Sequence, residues 1–274
     1  METPSVGILL LTFNSAAQIK RNWQHFINVD EPAHMVIIDN ASTDNTVALL
    51  KSAGVPVTVN PTNIGYTAAI NQGLQMLMDK GVEWCVLINP DVTPPKNYPH
   101  EIVRDFTAHP KCGIVSCRQV NQLGAVTYTG GVIGKPKLIF WPTIHDGLGN
   151  GWGVLQQEAV CTTRFLHRTQ DCKEIQQTSW ATFAVCALRS EMVREVGLLD
   201  PMFWLYASDS EYSMRCSAAG WEIWYNPLTF VHEGSANVKQ ANAAIQLQAI
   251  ADLKRFALME SDYHSCHNFT SDSP

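Results

Sequence analysis

Long apolar runs are missing from this sequence: none of its 274 residues lies in a stretch near the roughly 18 consecutive apolar positions that a membrane span needs. That excludes a transmembrane helix from the reading and leaves a peripheral contact as the nearest approach to a bilayer. Clusters of lysine and arginine are missing too, with 19 basic against 25 acidic residues and a formal charge of −6. No electrostatic footprint for a polyanion results, so nucleic acid is not expected as a partner. The opening fifteen residues have no basic region and no small-residue cleavage site, so they read as a first strand rather than a secretory leader, and a cytoplasmic location is expected. Paired CxxC cysteines are absent. The eight cysteines, Cys85, Cys112, Cys117, Cys161, Cys172, Cys186, Cys216 and Cys266, are scattered through apolar surroundings and read as free thiols in a reducing compartment.

What is present is an apolar fraction of 46%, enough for one large domain to bury a core without covalent staples. Apolar runs at 6–11, 35–38, 57–59 and 84–88 alternate with helix-like segments at 16–26, 46–53 and 68–79. Strands alternating with helices predict βαβ units, hence an α/β fold with a Rossmann-like, mostly parallel central sheet flanked by helices. From 92 to 178 the pattern weakens. Pro94, Pro95, Pro99 and Pro110 interrupt it, and Gly130, Gly131, Gly134, Gly147, Gly149, Gly151 and Gly153 suggest long loops lining an acceptor side. Regularity returns with a strand at 182–188, helices at 191–196 and 210–219 each ended by a glycine, and a strand at 222–225; the polar tail after Asp262 reads as frayed. The halves 1–92 and 93–262 are expected to share one domain, with 263–274 as a tail.

In open sheets of this kind ligands sit beyond the carboxyl ends of the strands, and polar residues follow each early strand here. Thr12 and Asn14 follow the first. Asp39 ends the second, where a carboxylate can accept the imide N–H of a uracil or thymine ring; the plainer alternative is that Asp39, Ser42 or Asp44 caps the next helix. Asn63, Gly65 and Asn71 bring amides and a close-approach glycine to the third loop, which an ordinary loop and helix start would also explain. Asn89-Pro90-Asp91 follows the strand at 84–88. A single carboxylate there suits Mn²⁺ or Mg²⁺ already held by a diphosphate, since these ions draw most of their ligands from phosphate and water. A turn aspartate is the bland reading.

Further on, Asp209 and Glu211 stand at a helix start, where the dipole favours carboxylates in any case; functionally, either is placed to be a general base. His232 follows a strand, where it is a structural histidine or closes a metal or phosphate site. Trp152, Trp180, Phe203, Trp204 and Tyr206 offer flat apolar faces for a sugar ring, although core packing is the plainer account of each.

Four segments in order resemble the inverting family 2 glycosyltransferases of GT-A fold, particularly rhamnosyltransferase-like members. They are the opening strand ending in Thr12-Phe13-Asn14, the stretch from Val36 to Asp44 with Asp39, the segment Asn63-Ile64-Gly65 to Asn71, and Asn89-Pro90-Asp91-Val92, similar to a shortened DxD motif. The region from Trp180 through His232-Glu233-Gly234-Ser235 is similar to the family's catalytic half. The resemblance implies a GT-A fold with a C-terminal acceptor-side portion and a nucleoside diphosphate sugar donor, UDP- or dTDP-linked. Thr12, Asn14, Asp39, Asn63, Gly65, Asn71, Asn89 and Asp91 would meet that donor, and Asp91 and His232 would meet Mn²⁺ or Mg²⁺. It makes Asp209 the general base and sets Trp180, Phe183, Trp204, Tyr206 and Glu211 toward a glycan or glycolipid acceptor. Ser208, Phe183 and Glu211 depart from the family's usual Glu, Gly and Asp, and these departures fall on the acceptor side.

Three other readings compete. A nucleotidyltransferase would want a Gly-rich basic loop near the N-terminus, which the sequence lacks. A non-catalytic nucleotide-sugar binder fits the acceptor-side departures, and a transferase acting on a nucleic-acid base fits poorly with the acidic balance.

Overall fold

A computed structural model describes residues 5–30, 33–144, 154–234 and, further on, 248, 251–253, 255 and 256. The first half follows the expected alternation: β1 (Val6–Thr12), α1 (Ala16–Phe26), β2 (His34–Asp39), α2 (Thr46–Ser52), β3 (Thr58–Val59), α3 (Tyr66–Met78) and β4 (Trp84–Ile88). These strands lie parallel in the order β4-β1-β2-β3. Every residue of β1 and β4 is buried, as a strand covered by helices on both faces requires. Alternate side chains of β1 enter opposite cores. Leu9 and Leu11 pack with Ile70, Leu74 and Leu77 of α3, whereas Val6, Ile8 and Leu10 pack with Ile19 and Phe26 of α1. The approach of α3 is close enough that a Cβ on Gly73 would lie 2.2 Å from Leu9 Cδ1. No larger residue allows the helix to lie so near the sheet.

The second half departs from expectation. In place of long loops, 92–178 contains β5 (Val92–Thr93), α4 (Tyr98–Glu101), β6 (Cys112–Val120), β7 (Val126–Tyr128), the paired strands β8 (Gly131–Ile144) and β9 (Val154–His167), and β10 (Gln176–Gln177). Gly130 serves as a turn with φ +112°, but Gly131 and Gly134 belong to β8. Gly147, Gly149, Gly151, Gly153, Trp152 and the tail after Asp262 lie outside the described residues. The helix-breaking prolines precede β6 without entering it, so punctuation alone gave a false impression of irregularity. The chain continues with β11 (Val185–Arg189), α5 (Ser190–Val196), α6 (Ser208–Ala218) and β12 (Glu222–His232). β12 runs well past the expected 222–225.

Among the described residues, ten strands form one sheet along the path β10-β12-β6-β11-β4-β1-β2-β3, with β5 on β12 and β7 on β6; β8 and β9 pair with each other. β11 pairs antiparallel with both β4 and β6, while β6 and β12 are parallel. The sheet is therefore parallel where the βαβ alternation lies and mixed beyond β4. No described helix is long and apolar enough to cross a membrane. Cys85, Cys112, Cys117, Cys186 and Cys216 are buried free thiols, and Cys172 is half-buried.

Candidate active site

Parallel register brings Thr12 opposite Asp39 at the carboxyl ends of β1 and β2. Asp39 is buried. Its Oδ2 accepts from the Thr12 hydroxyl at 2.8 Å and the Ser42 hydroxyl at 2.6 Å, and its Oδ1 accepts from the Ser42 N–H at 2.8 Å. Asn14 Oδ1 takes the Thr43 N–H at 2.8 Å, and the Asn14 N–H reaches Ser42 Oγ at 2.8 Å. Asn14 and Ala41 hold left-handed backbone, φ 47° and 66°, a conformation that costs energy and persists only where neighbours fix it. Asp39 thus clasps the two strand-end loops together. The capping alternative falls to Asp44, whose carboxylate receives the N–H of Ala16 at 3.0 Å and of Thr46 at 2.9 Å at the starts of α1 and α2.

The next loop is tied by amides. Asn40 Nδ2 donates to Asn63 Oδ1 at 2.8 Å and to the Gly65 carbonyl at 3.1 Å, while Asn40 Oδ1 accepts from Asn60 Nδ2 and the Ile64 N–H. Gly65 has φ +89°, and a Cβ there would sit 2.6 Å from Trp204 Cδ1 and 2.8 Å from the Trp204 carbonyl. The donor-side loop and the Trp204 segment touch at this glycine, and the Tyr66 N–H donates to that same carbonyl at 2.7 Å. Asn71 is held within the fold. One donor and one lone pair of its amide are taken by the backbone of Leu199, at 2.7 and 3.0 Å, so it ties α3 to the segment before α6 and keeps one further donor and one further lone pair.

Asp91 stands within a tight turn in which the Val92 N–H donates to the Asn89 carbonyl at 3.1 Å. The turn is held from α1 by Asn22, which gives its Nδ2 to the Pro90 carbonyl and accepts the Thr93 hydroxyl, both at 2.9 Å. β5 pairs with the end of β12, setting His232 against Val92. As a result His232 Nε2 lies 3.6 Å from Asp91 Oδ2, while His232 Nδ1 meets Gln119 Oε1 at 2.9 Å. With Gln119 as acceptor, Nδ1 carries a proton, which leaves Nε2 of a neutral ring as the nitrogen able to ligate a cation shared with Asp91. Arg21 and Glu233 form an ion pair beside this group.

A divalent cation fits that pair. Adjacent ligands of an octahedral ion with bonds of about 2.1 Å lie about 3 Å apart, so a small side-chain adjustment brings Asp91 and His232 onto one ion. Among the described residues no group of three or more His, Cys, Asp or Glu forms a metal cage. A diphosphate and water would supply the remaining ligands, in keeping with the chemistry of Mg²⁺ and Mn²⁺.

Asp209 stands at the second position of α6, half-buried, with Oδ1 accepting from the Ser210 N–H at 2.8 Å. Burial raises its carboxyl above the usual carboxylate range, and hydrogen bonds from the Ser210 and Phe183 N–H groups only partly offset this. Tyr66 connects the two halves of the site. Its hydroxyl donates to the Phe183 carbonyl at 3.0 Å. Burial first, then the charges of Cys186, Asp209 and Asp91, hold its ionisation well above the normal tyrosine range. Asp91 and Asp209 therefore act on one tyrosine from the two halves of the chain.

Three expected acceptor residues have partners within the fold. Phe183 is buried in the core at 6.1 Å, edge-on, from Tyr212. Trp180 is buried against Tyr128 and Gly131. Glu211 holds Arg215 with both oxygens, at 2.7 and 2.9 Å, and Arg215 in turn donates to the Val196 and Leu198 carbonyls. Trp204 and Tyr206 remain partly exposed. Sequence reasoning missed Asn22, Tyr66, Gln119 and Asp252. Of these only Tyr66 lay in a stretch already singled out; the others are lone polar residues that only tertiary pairing brings to the site.

The sequence matches the family described as glycosyl transferase family 2 over residues 8–170, more than half of the chain. No curated protein matches it by sequence. Among solved structures, the mannosyltransferase PcManGT from Pyrobaculum calidifontis in complex with GDP-Man and Mn²⁺ superposes with a TM-score of 0.57 at 15% identity, covering 86% of this chain and 59% of its own. GalNAc-T7 with UDP, GalNAc and Mn²⁺ gives 0.60 at 16% identity, with 84% and 44% covered. TarS of S. aureus in complex with UDP, as its 1–349 fragment, gives 0.51 at 13% identity, with 81% and 60% covered. The chain thus spans less than two thirds of each, and at these identities the likeness is one of fold: a central mixed sheet flanked by helices, the GT-A arrangement.

Proposed function

Since the chain belongs to glycosyl transferase family 2, we propose that it moves a sugar from a nucleoside diphosphate, UDP- or dTDP-linked, to a hydroxyl of a glycan or glycolipid acceptor. Transfer would proceed with inversion, in the manner of rhamnosyltransferase-like members. The observation that carries this reading is Asp91 paired with His232 at 3.6 Å where β5 meets the end of β12, with the raised carboxyl of Asp209 in the first turn of α6. One carboxylate faces a histidine across a gap suited to a cation; the other is poised to take a proton.

In this reading Thr12, Asn14 and the loop clasped by Asp39 receive the nucleoside, and Asn63, Gly65 and Asn89 line the path of the sugar diphosphate. Asp91 and His232 hold Mn²⁺ or Mg²⁺. Bound there, the cation supplies positive charge to the leaving diphosphate. Asp209 accepts the proton of the acceptor hydroxyl as that oxygen bonds to the anomeric carbon and the diphosphate oxygen departs with the bonding pair. Trp204 and Tyr206, the partly exposed aromatics of the segment before α6, give the acceptor sugar a flat apolar surface. Residues 1–92 and 93–262 are then donor and acceptor halves of one domain, a unity supported by β4 and β11 pairing across the boundary.

The test is a panel of UDP-, dTDP- and GDP-sugars scored by released nucleoside diphosphate, with and without Mn²⁺, for the native chain and Asp91→Ala. Metal-dependent release from one donor, reduced at least 100-fold by Asp91→Ala, is the expected result, and the anomeric configuration of the product should be opposite to that of the donor. Release unaffected by Asp91→Ala would overturn the metal assignment, and retained configuration would overturn direct displacement.

A further inference from the structure

Asp252 lies far from the motifs, in a helical stretch near the C-terminus, and is fully buried. Its Oδ1 accepts the Trp204 N–H at 3.0 Å, and its Oδ2 accepts the Leu205 N–H at 2.7 Å and the Tyr206 N–H at 3.1 Å. Three consecutive backbone donors therefore converge on one carboxylate. Gln248 donates to the same Oδ1 at 3.3 Å, and Arg255 lies 3.8 Å away while donating to the Met202 carbonyl at 2.8 Å. An uncompensated buried charge is expensive; this one is compensated chiefly by a segment that has no regular structure of its own.

That segment has functional neighbours on both sides. Its Trp204 rests on Gly65, and the Trp204 carbonyl takes the Tyr66 N–H. At its other end Ala207 adopts φ 64°, a strained turn for a residue with a Cβ, and two residues later stands Asp209. Phe203 and Ala207 pack on Phe256, one turn beyond Asp252. The carboxylate and the apolar contact together clamp the turn from which α6 begins.

We propose that Asp252 is a positioning residue for sugar transfer: it fixes the 204–206 backbone and thereby the aromatic surface and the Asp209 base relative to the donor loop. Naming Asp209 the base rests on the glycosyl-transfer reading above; the clamp itself does not. Asp252→Asn keeps the shape but turns one acceptor into a donor, which then faces backbone N–H groups instead of accepting from them.

The experiment compares native protein, Asp252→Asn and Phe256→Leu, the last loosening the same helix without touching the carboxylate. Asp252→Asn should lower kcat roughly 10- to 100-fold with the donor KM within about threefold of native, because misplacement by an ångström is enough for such a loss. Amide hydrogen exchange at 204–206 should accelerate in the same variant. At temperatures chosen for equal fractional unfolding, Phe256→Leu should retain a larger share of kcat. Native kcat and unchanged exchange in Asp252→Asn would overturn the proposal, as would a kcat loss no greater than that of Phe256→Leu. If the native chain transfers no sugar from any donor, the glycosyl-transfer reading fails and catalytic positioning fails with it, whereas the exchange comparison still decides whether the clamp exists.

Discussion

At the scale of single residues, Asp209 concentrates both the chemistry and a cost. Replacing a general base typically slows a reaction by about 10² to 10⁴, and Asp209→Asn should fall in that range when transfer is assayed at neutral pH. Because burial raises this carboxyl, the native rate should decline as pH falls through a value above the usual carboxylate range. Stability runs the other way. A carboxyl raised in the fold favours the folded state fully only below its unfolded pKa, and that contribution is lost as pH rises through the folded value. Ionised Asp209 therefore destabilises the protein at pH 7. Asp209→Asn should have a higher Tm than the native chain there, the difference shrinking toward acid; a lower Tm at pH 7 would contradict the burial account. Polar residues of this kind were legible in sequence because Asp39, Asp91 and Asp209 each lie at or beside the end of a regular element. Whether Asp39 faced a ligand or its own loop was not, since Thr12 and Ser42 become its partners only once β1 and β2 pair.

At the scale of elements, α6 shows why spacing did not separate two carboxylates. Asp209 and Glu211 both occupy its first turn, but the residue four positions beyond Glu211 is Arg215, which takes both of its oxygens. Glu211 is consequently part of the scaffold joining α6 to the end of α5. Glu211→Gln should lower stability by about 1 kcal/mol, in the range of partly exposed ion pairs, and leave the rate of transfer unchanged; a rate loss beyond the stability effect would return Glu211 to the acceptor site. The helix α1 and the strands β1 and β4 were plain from apolar periodicity. β6 was hidden because Pro110 and Gly113 flank or interrupt its apolar run, although Gly113 is there for packing: a Cβ would lie 2.6 Å from Met192 Sδ. The path from Asp252 to the 204–206 backbone crosses more than forty residues and leaves no local signature at either end.

At the scale of the whole molecule, one sheet unites donor and acceptor halves. β4 shares its hydrogen bonds with β1 on one side and β11 on the other, and the two apolar cores each draw residues from both halves. Unfolding should accordingly be a single transition, coincident by far-UV circular dichroism and by tryptophan fluorescence; separated transitions would mean that the halves fold independently.

The paired strands β8 and β9 stand apart from that shared sheet. Their base is closed where the Arg168 N–H donates to the Gly130 carbonyl at 2.9 Å and the Thr129 N–H to the Arg168 carbonyl at 2.8 Å. The chain thus leaves and re-enters the body of the protein at nearly one point. For an engineer this makes the hairpin beyond Gly131 a cassette: a short linker from Gly131 to Arg168 would delete it while retaining every strand of the main sheet and the contacts of Gly131 with Thr178 and Trp180.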